Sequence, residues 1–256
     1  MEITRPPAKP GEPKPKISVL ISARRNSKYL AKFMFGLYER TSDYTNVDIH
    51  IMLNEHDTWN RELIDFFSQP GGGPDINFYR ENLQLGRAGL HEYFNLMVPH
   101  ARGEWLIYFC EDHFIVMDNW DEYVRNVIAQ LQLDPRKVWC LIPKFDNVGA
   151  MNQILSRGYV EALGGKLGRH GWIDSYVNDL NVAIPDRVVR FDHEMFHDFT
   201  HDKPNPMSEA HVQSISTEKG KHLPEYKSNI NRRRIEVDQE QLLKAIEKEG
   251  KNGLQG

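Results

Sequence analysis

The feature that most constrains the fold is the alternation of short apolar runs with helix-periodic segments across residues 17–110. The run Ile17-Ser18-Val19-Leu20-Ile21 consists mainly of β-formers, and apolar residues behind it recur at the three- and four-residue spacing of a helix. Further apolar runs lie at residues 47–53, 76–79 and 104–110, with helical patterns at 59–67 and 90–101. The order β-α-β-α-β-α-β predicts an α/β fold with a mostly parallel sheet flanked by helices.

The second half of the sequence is less regular. Its patterns predict a helix at 120–131, a strand at 138–143, a helix at 151–163 and a strand at 188–191. Asp238, with Gln241 three residues on, predicts the N-cap of a terminal amphipathic helix. We therefore expect a flexible proline-rich leader over residues 1–15, one domain over 16–201, and a C-terminal extension over 202–256.

Composition places the chain among ordinary soluble globular proteins. Apolar residues make up 40% and charged residues 27%, and the net charge is −4, which argues against a wholly basic nucleic-acid binder. The longest apolar runs fall far short of the roughly 20 residues that span a bilayer, and no signal peptide is visible. Cys110 and Cys140 both lie in apolar runs, so we expect buried, reduced thiols and a cytoplasmic location.

Polar clusters follow three of the predicted strands, at residues 22–26, 54–58 and 111–113. In open α/β sheets, ligands bind at the carboxyl ends of the strands. The third cluster, Glu111-Asp112-His113, ends the apolar run abruptly with three ionisable groups. Carboxylates suit Mg²⁺ or Mn²⁺ and an imidazole favours Mn²⁺, so this cluster predicts a divalent metal site; a solvated turn is the alternative.

Several segments of residues 16–201 stand in an order that resembles a known family. They are residues 22–26, 53–58, 82–89 with Asn95, 102–113, and Gly164-Gly165 followed by 171–174. In this order they resemble glycosyltransferases of the GT-A (nucleotide-diphospho-sugar transferase) fold, similar to glycosyltransferase family 2. Glu111-Asp112-His113 then stands where that family has D-x-D. The resemblance implies a nucleotide-sugar half over 16–117 and an acceptor half over 118–201.

The resemblance also implies the function and the donor site. We expect inverting, metal-dependent transfer of a sugar from a nucleotide sugar, most simply a UDP-sugar, to a hydroxyl of a glycan, a small molecule or a modified DNA base. Glu55 or Asp57 would contact the nucleobase, Arg87 the diphosphate, and Glu111 the ribose or a metal-bound water. The implied donor-binding positions are Ser22, Arg24, Glu55, Asp57, Arg87, Glu111 and Asp112. Arg87 is alternatively a surface residue at a helix start.

The catalytic base and the remaining metal ligands are less sharply defined. The family's base motif is usually Glu-Asp, whereas this sequence has Ile173-Asp174, so Asp174 is the first candidate base and Asp179 its rival. Asp174 is alternatively a helix N-cap. The family commonly brings a histidine from the end of its last strand to the metal. His197, His193 and His201 are therefore candidates to join Glu111 and His113.

A competing motif lies at His193-Glu194-Met195-Phe196-His197, which matches the zinc-hydrolase signature H-E-x-x-H. That signature requires a helix, whereas Val188-Val189-Arg190-Phe191 just before it reads as a strand. A zinc-dependent protease is thus the principal alternative. A non-catalytic nucleotide-binding module on the same fold is another.

A basic stretch covers residues 219–234, with six Lys and Arg residues against Glu225 alone. Such a run is usually a solvated surface. It could also contact the phosphates of a polyanionic acceptor such as DNA with hydroxymethylated bases, or close over the donor as a lid.

Overall fold

A computed structural model describes residues 2–3, 17–23, 27–54, 61–67, 75–81, 89–110, 113–145, 152–171, 173–198 and 229–253. Within these ranges the strands are β1 (Glu2–Ile3), β2 (Ile17–Ala23), β3 (Val47–Asn54), β4 (Asp75–Glu81), β5 (Trp105–Cys110), β6 (His113–Ile115), β7 (Cys140–Phe145), β8 (Ile154–Ser156) and β9 (Val188–Asp198). The α-helices are α1 (Ser27–Arg40), α2 (Arg61–Phe67), α3 (Leu90–Met97), α4 (Trp120–Gln130), α5 (Arg157–Ala162), α6 (Ile173–Asn181) and α7 (Asn229–Gly253). No helix of the described residues is long and apolar enough to cross a membrane.

The strands form one sheet in the order β1-β4-β3-β2-β5-β8-β7-β9-β6. Strands β4, β3, β2 and β5 run parallel, as the sequence predicts. The second half of the sheet contains both parallel and antiparallel strands. Strand β8 lies antiparallel between β5 and β7, whereas β7 and β9 are parallel. Only residues 146–153 separate β7 from β8, fewer than the roughly dozen residues that a parallel crossover needs.

The parallel strands are buried on both faces because helices cover each side. All seven residues of β2 are buried. Val19 and Ile21 belong to the core that includes Phe33 of α1, whereas Leu20 belongs to the core that includes Phe94 of α3. Alternate side chains of a strand point to opposite faces, so the continuous apolar run at residues 17–21 follows directly from this double cover.

Two element predictions in the second half are wrong in detail. The predicted helix at 151–163 is instead strand β8 followed by the short helix α5, whose N-cap Ser156 accepts a hydrogen bond from Tyr159 N. The terminal helix begins at Asn229, so Asp238 lies inside it rather than at its N-cap. Asp238 is buried and pairs with Arg169 and the Tyr176 hydroxyl, which explains a carboxylate on the apolar face of the helix.

A polar network closes the amino-terminal edge of the parallel strands. Asp48 at the start of β3 accepts hydrogen bonds from Ser18 Oγ at 2.5 Å and from the Arg102 backbone N–H at 3.1 Å. Its Oδ2 lies 2.8 Å from His50 Nε2, and His50 Nδ1 lies 2.6 Å from the Tyr79 hydroxyl. Burial raises the pKa of the Asp48 carboxyl, but the hydrogen bonds and charge of His50, together with Ser18, outweigh it, so this pKa lies below its usual value.

Gly103 lies at the same edge of the sheet. The structure explains why the segment at 102–113 has a glycine at this position. Its backbone N–H donates to Ser18 Oγ at 2.7 Å. A Cβ at this position would lie 2.4 Å from Ser18 N, which is closer than van der Waals contact allows. Glycine is therefore required here by the close approach of two backbones.

The terminal helix α7 packs against α5 and α6. Leu242 is fully buried beneath it, within the core on the α3 side of the sheet. Near its end, Glu249 accepts a hydrogen bond from Val138 N at 2.8 Å and pairs with Arg187 at 2.9 Å. The extension predicted from the sequence therefore ends in a helix that is part of the folded body.

Candidate active site

The carboxyl ends of the parallel strands meet at one edge, as the polar clusters predict. Ser22 of β2 stands in register with Met52 of β3 and with Cys110 of β5. Ser22 is buried, so its hydroxyl belongs to the floor of this edge. The other predicted donor residues lie outside the described residues and stay predictions. They are Arg24, Glu55, Asp57, Arg87, Glu111 and Asp112, and the candidate ligand His201 also falls outside.

His113 is the first residue of β6 and lies just beyond the end of β5. It is only 5% exposed, and its Nδ1 accepts a hydrogen bond from the Cys110 backbone N–H at 3.2 Å. The side-chain amide nitrogen of Asn152 lies 3.4 Å from the same ring nitrogen. Both contacts use Nδ1 of the ring as the acceptor.

Asn152 joins the end of β5 to the segment before β8. Its Nδ2 donates to the Tyr108 carbonyl at 2.8 Å, which fixes the orientation of the amide. Asn152 adopts a left-handed backbone conformation (φ 52°) and is almost fully buried. Its Oδ1 is buried without a hydrogen-bond partner in the described structure. Because buried carbonyl oxygens are normally paired, this oxygen is a candidate contact for a bound group.

Asp174, the first candidate base, lies at the start of α6 and reaches the same cluster. Its Oδ1 accepts a hydrogen bond from the Asn152 backbone N–H at 3.1 Å. Burial raises the pKa of its carboxyl above the usual value, although the charge of His113 and hydrogen bonds from Asn152 and Tyr108 oppose this. A carboxylate with a raised pKa that can still ionise is suited to take a proton from a hydroxyl.

Tyr108 and Gln153 hold α6 against β5. The Tyr108 hydroxyl contacts both Gln153 Oε1 and the Asp174 carboxyl. Gln153 Nε2 donates to the Asp174 carbonyl at 3.3 Å and to Asn178 Oδ1 at 3.2 Å. The position of Asp174 is therefore set by two buried side chains from outside its own helix.

Asp179, the rival base, lies elsewhere on α6. Five residues separate it from Asp174, which places the two side chains about 140° apart around the helix at 100° per residue. Gln239 of α7 donates to the Asp179 carbonyl at 2.8 Å. The structure thus groups Asp174, and not Asp179, with His113.

Comparison with known proteins identifies the fold. No protein-family model and no curated protein matches the sequence. Among solved structures, S. aureus TarS in complex with UDP-GlcNAc is similar with a TM-score of 0.56 and 11% identity, covering 89% of this chain and 71% of that one. The mannosyltransferase PcManGT from Pyrobaculum calidifontis, in complex with GDP-Man and Mn²⁺, is similar with a TM-score of 0.57 and 13% identity, covering 78% of this chain and 62% of that one.

The chain has the fold of a GT-A glycosyltransferase. A longer structure of S. aureus TarS has a TM-score of 0.56, and this chain spans 43% of its length. The α/β fold inferred from the sequence is thus confirmed, and the resemblance to GT-A glycosyltransferases is confirmed at the level of the fold.

Within the GT-A fold, the structure does not bring His193 or His197 to His113. In the antiparallel pair of β6 and β9, His197 stands opposite Phe114, and their rings are 5.1 Å apart. Since neighbouring residues of a strand face opposite ways, His197 lies on the other face from His113. His193 is exposed and packs its ring against Tyr123 of α4. No three His, Cys, Asp or Glu side chains of the described residues cluster as a cation site.

The zinc-hydrolase alternative is wrong, because its motif lies on this same strand, β9. Residues 193–197 lie within β9 and not on a helix. Two side chains four residues apart on a strand are separated by about 13 Å at 3.3 Å per residue, which is too far for both to bind one zinc ion at roughly 2 Å. The match to H-E-x-x-H is therefore coincidental.

Asn95 shows what one residue of the resembling segment does in the GT-A fold. Its Nδ2 donates to the Gly168 carbonyl and its Oδ1 accepts from Leu167 N, both at 2.9 Å. Asn95 of α3 therefore anchors the loop between α5 and α6 that leads to Asp174. The sequence pattern pointed to the residue, but not to this role.

Sequence reasoning missed Asn152, Gln153 and Tyr108. Tyr108 belongs to the apolar run of β5, and Asn152 and Gln153 lie in a stretch that was predicted as helix. The available signal was a pair of amide side chains directly before a short apolar run. That signal is too common to single out a site.

Proposed function

We propose that this chain is a glycosyltransferase that moves a sugar from a nucleotide-sugar donor, in the simplest case a UDP-sugar, to a hydroxyl acceptor with inversion. The observation that carries the proposal is the Asp174 carboxyl at the start of α6, with its raised pKa, joined through Asn152 to His113 beyond the end of β5. The fold supports the proposal, as do structural neighbours solved in complex with UDP, UDP-GlcNAc and GDP-Man.

The proposed reaction uses Asp174 as the general base. The acceptor hydroxyl gives its proton to the Asp174 carboxylate while its oxygen forms a bond to the anomeric carbon. The bond from that carbon to the diphosphate oxygen breaks, and the nucleoside diphosphate leaves with the electron pair. Attack from the side opposite the leaving group inverts the anomeric centre.

Donor binding is assigned to the carboxyl ends of β2, β3 and β5. We propose that Ser22 and Arg24 contact the nucleotide, that Glu55 or Asp57 accepts hydrogen bonds from the base, and that the remaining positions contact the ribose and diphosphate. Those remaining positions are Arg87, Glu111 and Asp112. The register of Ser22 beside Cys110 supports this assignment, since it places the ends of β2 and β5 side by side.

We further propose that the site takes a divalent cation, Mn²⁺ or Mg²⁺. The described residues fit such an ion through Asn152 Oδ1, a buried amide oxygen without a partner, and oxygen ligands suit both metals. Glu111 would supply a carboxylate, whereas His113, predicted from the sequence as a ligand, turns its Nδ1 to the Cys110 backbone N–H and would not coordinate the ion through that atom. When bound, the ion would neutralise negative charge on the leaving diphosphate. The Mn²⁺ bound in the structure of the mannosyltransferase neighbour supports the choice of metal.

A donor screen tests the proposal. The protein is incubated with Mn²⁺ and a panel of nucleotide sugars, and the release of free nucleotide is followed without acceptor. We expect slow, multiple-turnover hydrolysis of one donor and its loss on adding EDTA. A non-catalytic binding module would raise the melting temperature with a donor but show no turnover. Absence of both hydrolysis and thermal stabilisation with every donor would refute the proposal.

The Asp174→Asn variant tests the base. Its donor-dependent thermal shift should match that of the wild type, because the amide keeps the shape of the carboxyl group. Transfer should fall by about 10²- to 10⁴-fold, the usual contribution of a general base. Asp179→Asn is the matched control on the same helix and should keep transfer near the wild-type rate. An equal loss of transfer activity in both variants would show that Asp174 is not the general base.

A further inference from the structure

The outer side of α1 and α2 carries exposed aromatic side chains that contact one another. Phe35 of α1 is 45% exposed, Tyr38 is 42% exposed, and Phe66 of α2 is 56% exposed. The centroid of the Phe35 ring lies 5.9 Å from that of Phe66 and 5.6 Å from that of Phe67. Tyr38 follows Phe35 by three residues and therefore neighbours it on the helix surface. We call Phe35, Tyr38 and Phe66 the aromatic patch.

The size of the aromatic patch is typical of a contact surface. Phe and Tyr side chains have about 150–250 Å² each to bury, and roughly half of each ring in the patch is exposed, so the patch leaves on the order of 300 Å² in water. Single apolar residues on a surface are normal, whereas a contiguous patch of this size is often functional. Other side chains, such as the buried Phe33 and Ile64, anchor α1 and α2 in the core. Packing of the two helices therefore does not account for the exposed rings.

Charged side chains of both signs border the patch. Lys32 precedes Phe35 by three residues and Glu39 follows it by four, so the three share one stripe of α1. Both charged side chains are exposed. The Lys32 ammonium lies 5.2 Å from the centroid of the Phe114 ring, whereas Glu39 has no ion-pair partner among the described residues. Glu39 also lies in the last turn of α1, where the helix dipole disfavours a negative charge.

This stripe is complementary to itself when two copies of α1 run antiparallel. A two-fold axis at the peptide bond between Phe35 and Gly36 has Lys32 and Glu39 at equal distances on either side, about 5 Å at 1.5 Å per residue. Lys32 of each copy then stands opposite Glu39 of the other. The same axis brings Phe35 of the two copies together. The two-fold contact thus supplies both the exposed ring and the carboxylate with a partner.

We propose that the aromatic patch is the centre of a homodimer interface, with α1 of a second copy packed antiparallel on α1, Phe35 against Phe35 at the axis, and Lys32 of each copy paired with Glu39 of the other. A two-fold dimer is the commonest soluble oligomer. A membrane surface fits the patch less well, because the exposed Glu39 and Asp65 would face anionic headgroups. Two such patches cover less than the roughly 1,200–2,000 Å² of standard interfaces, so the dimer is weak and forms at high protein concentration.

Sedimentation velocity of the full chain, from low-micromolar to sub-millimolar concentration, tests the dimer. We expect the weight-average mass to rise with concentration from the 29.8 kDa of one chain toward twice that value. Phe35→Ser should raise the dissociation constant by about tenfold or more, because it removes the aromatic anchor at the axis. Leu243→Ser is the matched control and should leave the constant unchanged. Leu243 is 48% exposed, but it lies on α7, on the opposite side of the sheet from α1.

Charge reversal tests the pairing of the two copies directly. Glu39→Lys and Lys32→Glu should each weaken self-association by about tenfold or more, because like charges then face each other twice in the dimer. An equimolar mixture of these two variants should form a heterodimer, since every pair in it again has opposite charges. The double variant Lys32→Glu/Glu39→Lys should recover wild-type dimerisation for the same reason. Glu236→Lys, at an exposed position of α7, is the control for net charge and should dimerise as the wild type does.

The contrary outcomes are distinct from one another. A chain that stays monomeric at every concentration would refute the dimer. Should that monomer bind phosphatidylglycerol vesicles and lose this binding in Phe35→Ser, the patch would be a lipid contact instead. A dimer that persists in Phe35→Ser, or charge variants that do not associate when mixed, would also overturn the proposal. Far-UV circular dichroism checks that each variant is folded, and none of these outcomes depends on turnover of a nucleotide sugar.

Discussion

At the scale of single residues, two positions are fixed by backbone geometry. Gly103 lies where the chain before β5 passes Ser18, and a Cβ there would meet backbone atoms. Asn152 holds a left-handed conformation that costs most non-glycine residues energy, and its side chain uses that conformation to reach Tyr108 and His113. In both cases the residue type follows from what surrounds it in space.

Gly103→Ala should destabilise the fold by about 3 kcal/mol, the upper range for overpacking a tight site, because Ser18 and the backbone of Ile17 must move. Gly36→Ala is the control. Gly36 lies inside α1 with open space around its Cα, so alanine should stabilise the protein by about 0.5–1 kcal/mol. Urea unfolding of both variants measures the two effects, and an equal stability of Gly103→Ala and wild type would contradict the close approach.

Substitutions of Asn152 separate its backbone from its side chain. Asn152→Gly keeps the left-handed conformation but removes the amide, so it should lose activity in the donor-hydrolysis assay while keeping most of its stability. Asn152→Ala should lose the same activity and be less stable than the glycine variant by about 1 kcal/mol, the lower cost of a strained conformation. Thermal unfolding compares the two variants. Wild-type hydrolysis by Asn152→Gly would show that the amide takes no part.

At the scale of secondary structure, the first half of the chain was predictable and the second only in part. Residues 17–110 follow local rules, because β2 and β5 are nearly continuous buried runs and helix-periodic segments follow the strands. The helix predicted at 151–163 failed because residues 154–156 pair with β5 and β7, a long-range contact that overrides local preference. Asp238 looked like an N-cap because its partners, Arg169 and Tyr176, are distant in sequence.

The candidate site was predictable to a similar degree. Asp174 and His113, which the structure joins through Asn152, were predicted because they stand in segments that resemble the family. Asn152, Gln153 and Tyr108 were not, because hydrogen bonds between separate strands leave no local pattern.

The network at the start of β2, β3 and β5 predicts an acid-sensitive fold. The pKa of Asp48 is lowered in the folded state, so its contribution is complete above the usual carboxyl pKa of about 3.9 and disappears as the pH falls through the lower folded value. Asp48→Asn should cost about 3–5 kcal/mol near neutral pH, since it removes the buried carboxylate that Ser18, His50 and the Arg102 backbone N–H contact. The free energy of unfolding, measured from about pH 3 to pH 7, should then change less with pH for the variant than for the wild type.

At the scale of the whole molecule, the candidate base links the two halves of the sheet. Asp174 of α6 contacts the end of β5 through Tyr108 and the segment before β8 through Asn152. Desolvation raises the pKa of its carboxyl, so the fold disfavours the charged carboxylate that the proposed chemistry requires. The charged form of the proposed base thus lowers the stability of the fold.

Asp174→Asn should therefore stabilise the protein above the pKa of the folded carboxyl while it stops transfer. A raised folded pKa means that Asp174 contributes stability below the usual carboxyl pKa and loses it as the pH rises through the folded value. The difference in Tm between variant and wild type should consequently widen from about pH 4 to pH 8. Thermal unfolding at both ends of this range measures the effect, and a difference that narrows with rising pH would contradict it.

The bond from Val138 N to Glu249 spans 111 positions of the chain. The strand that begins at Cys140, beside the central β8, thus depends on a helix that lies far from it along the chain. Without Glu249, the Val138 backbone N–H and the Arg187 guanidinium would lose this partner, so the flank of the sheet around β7 closes only once α7 has docked.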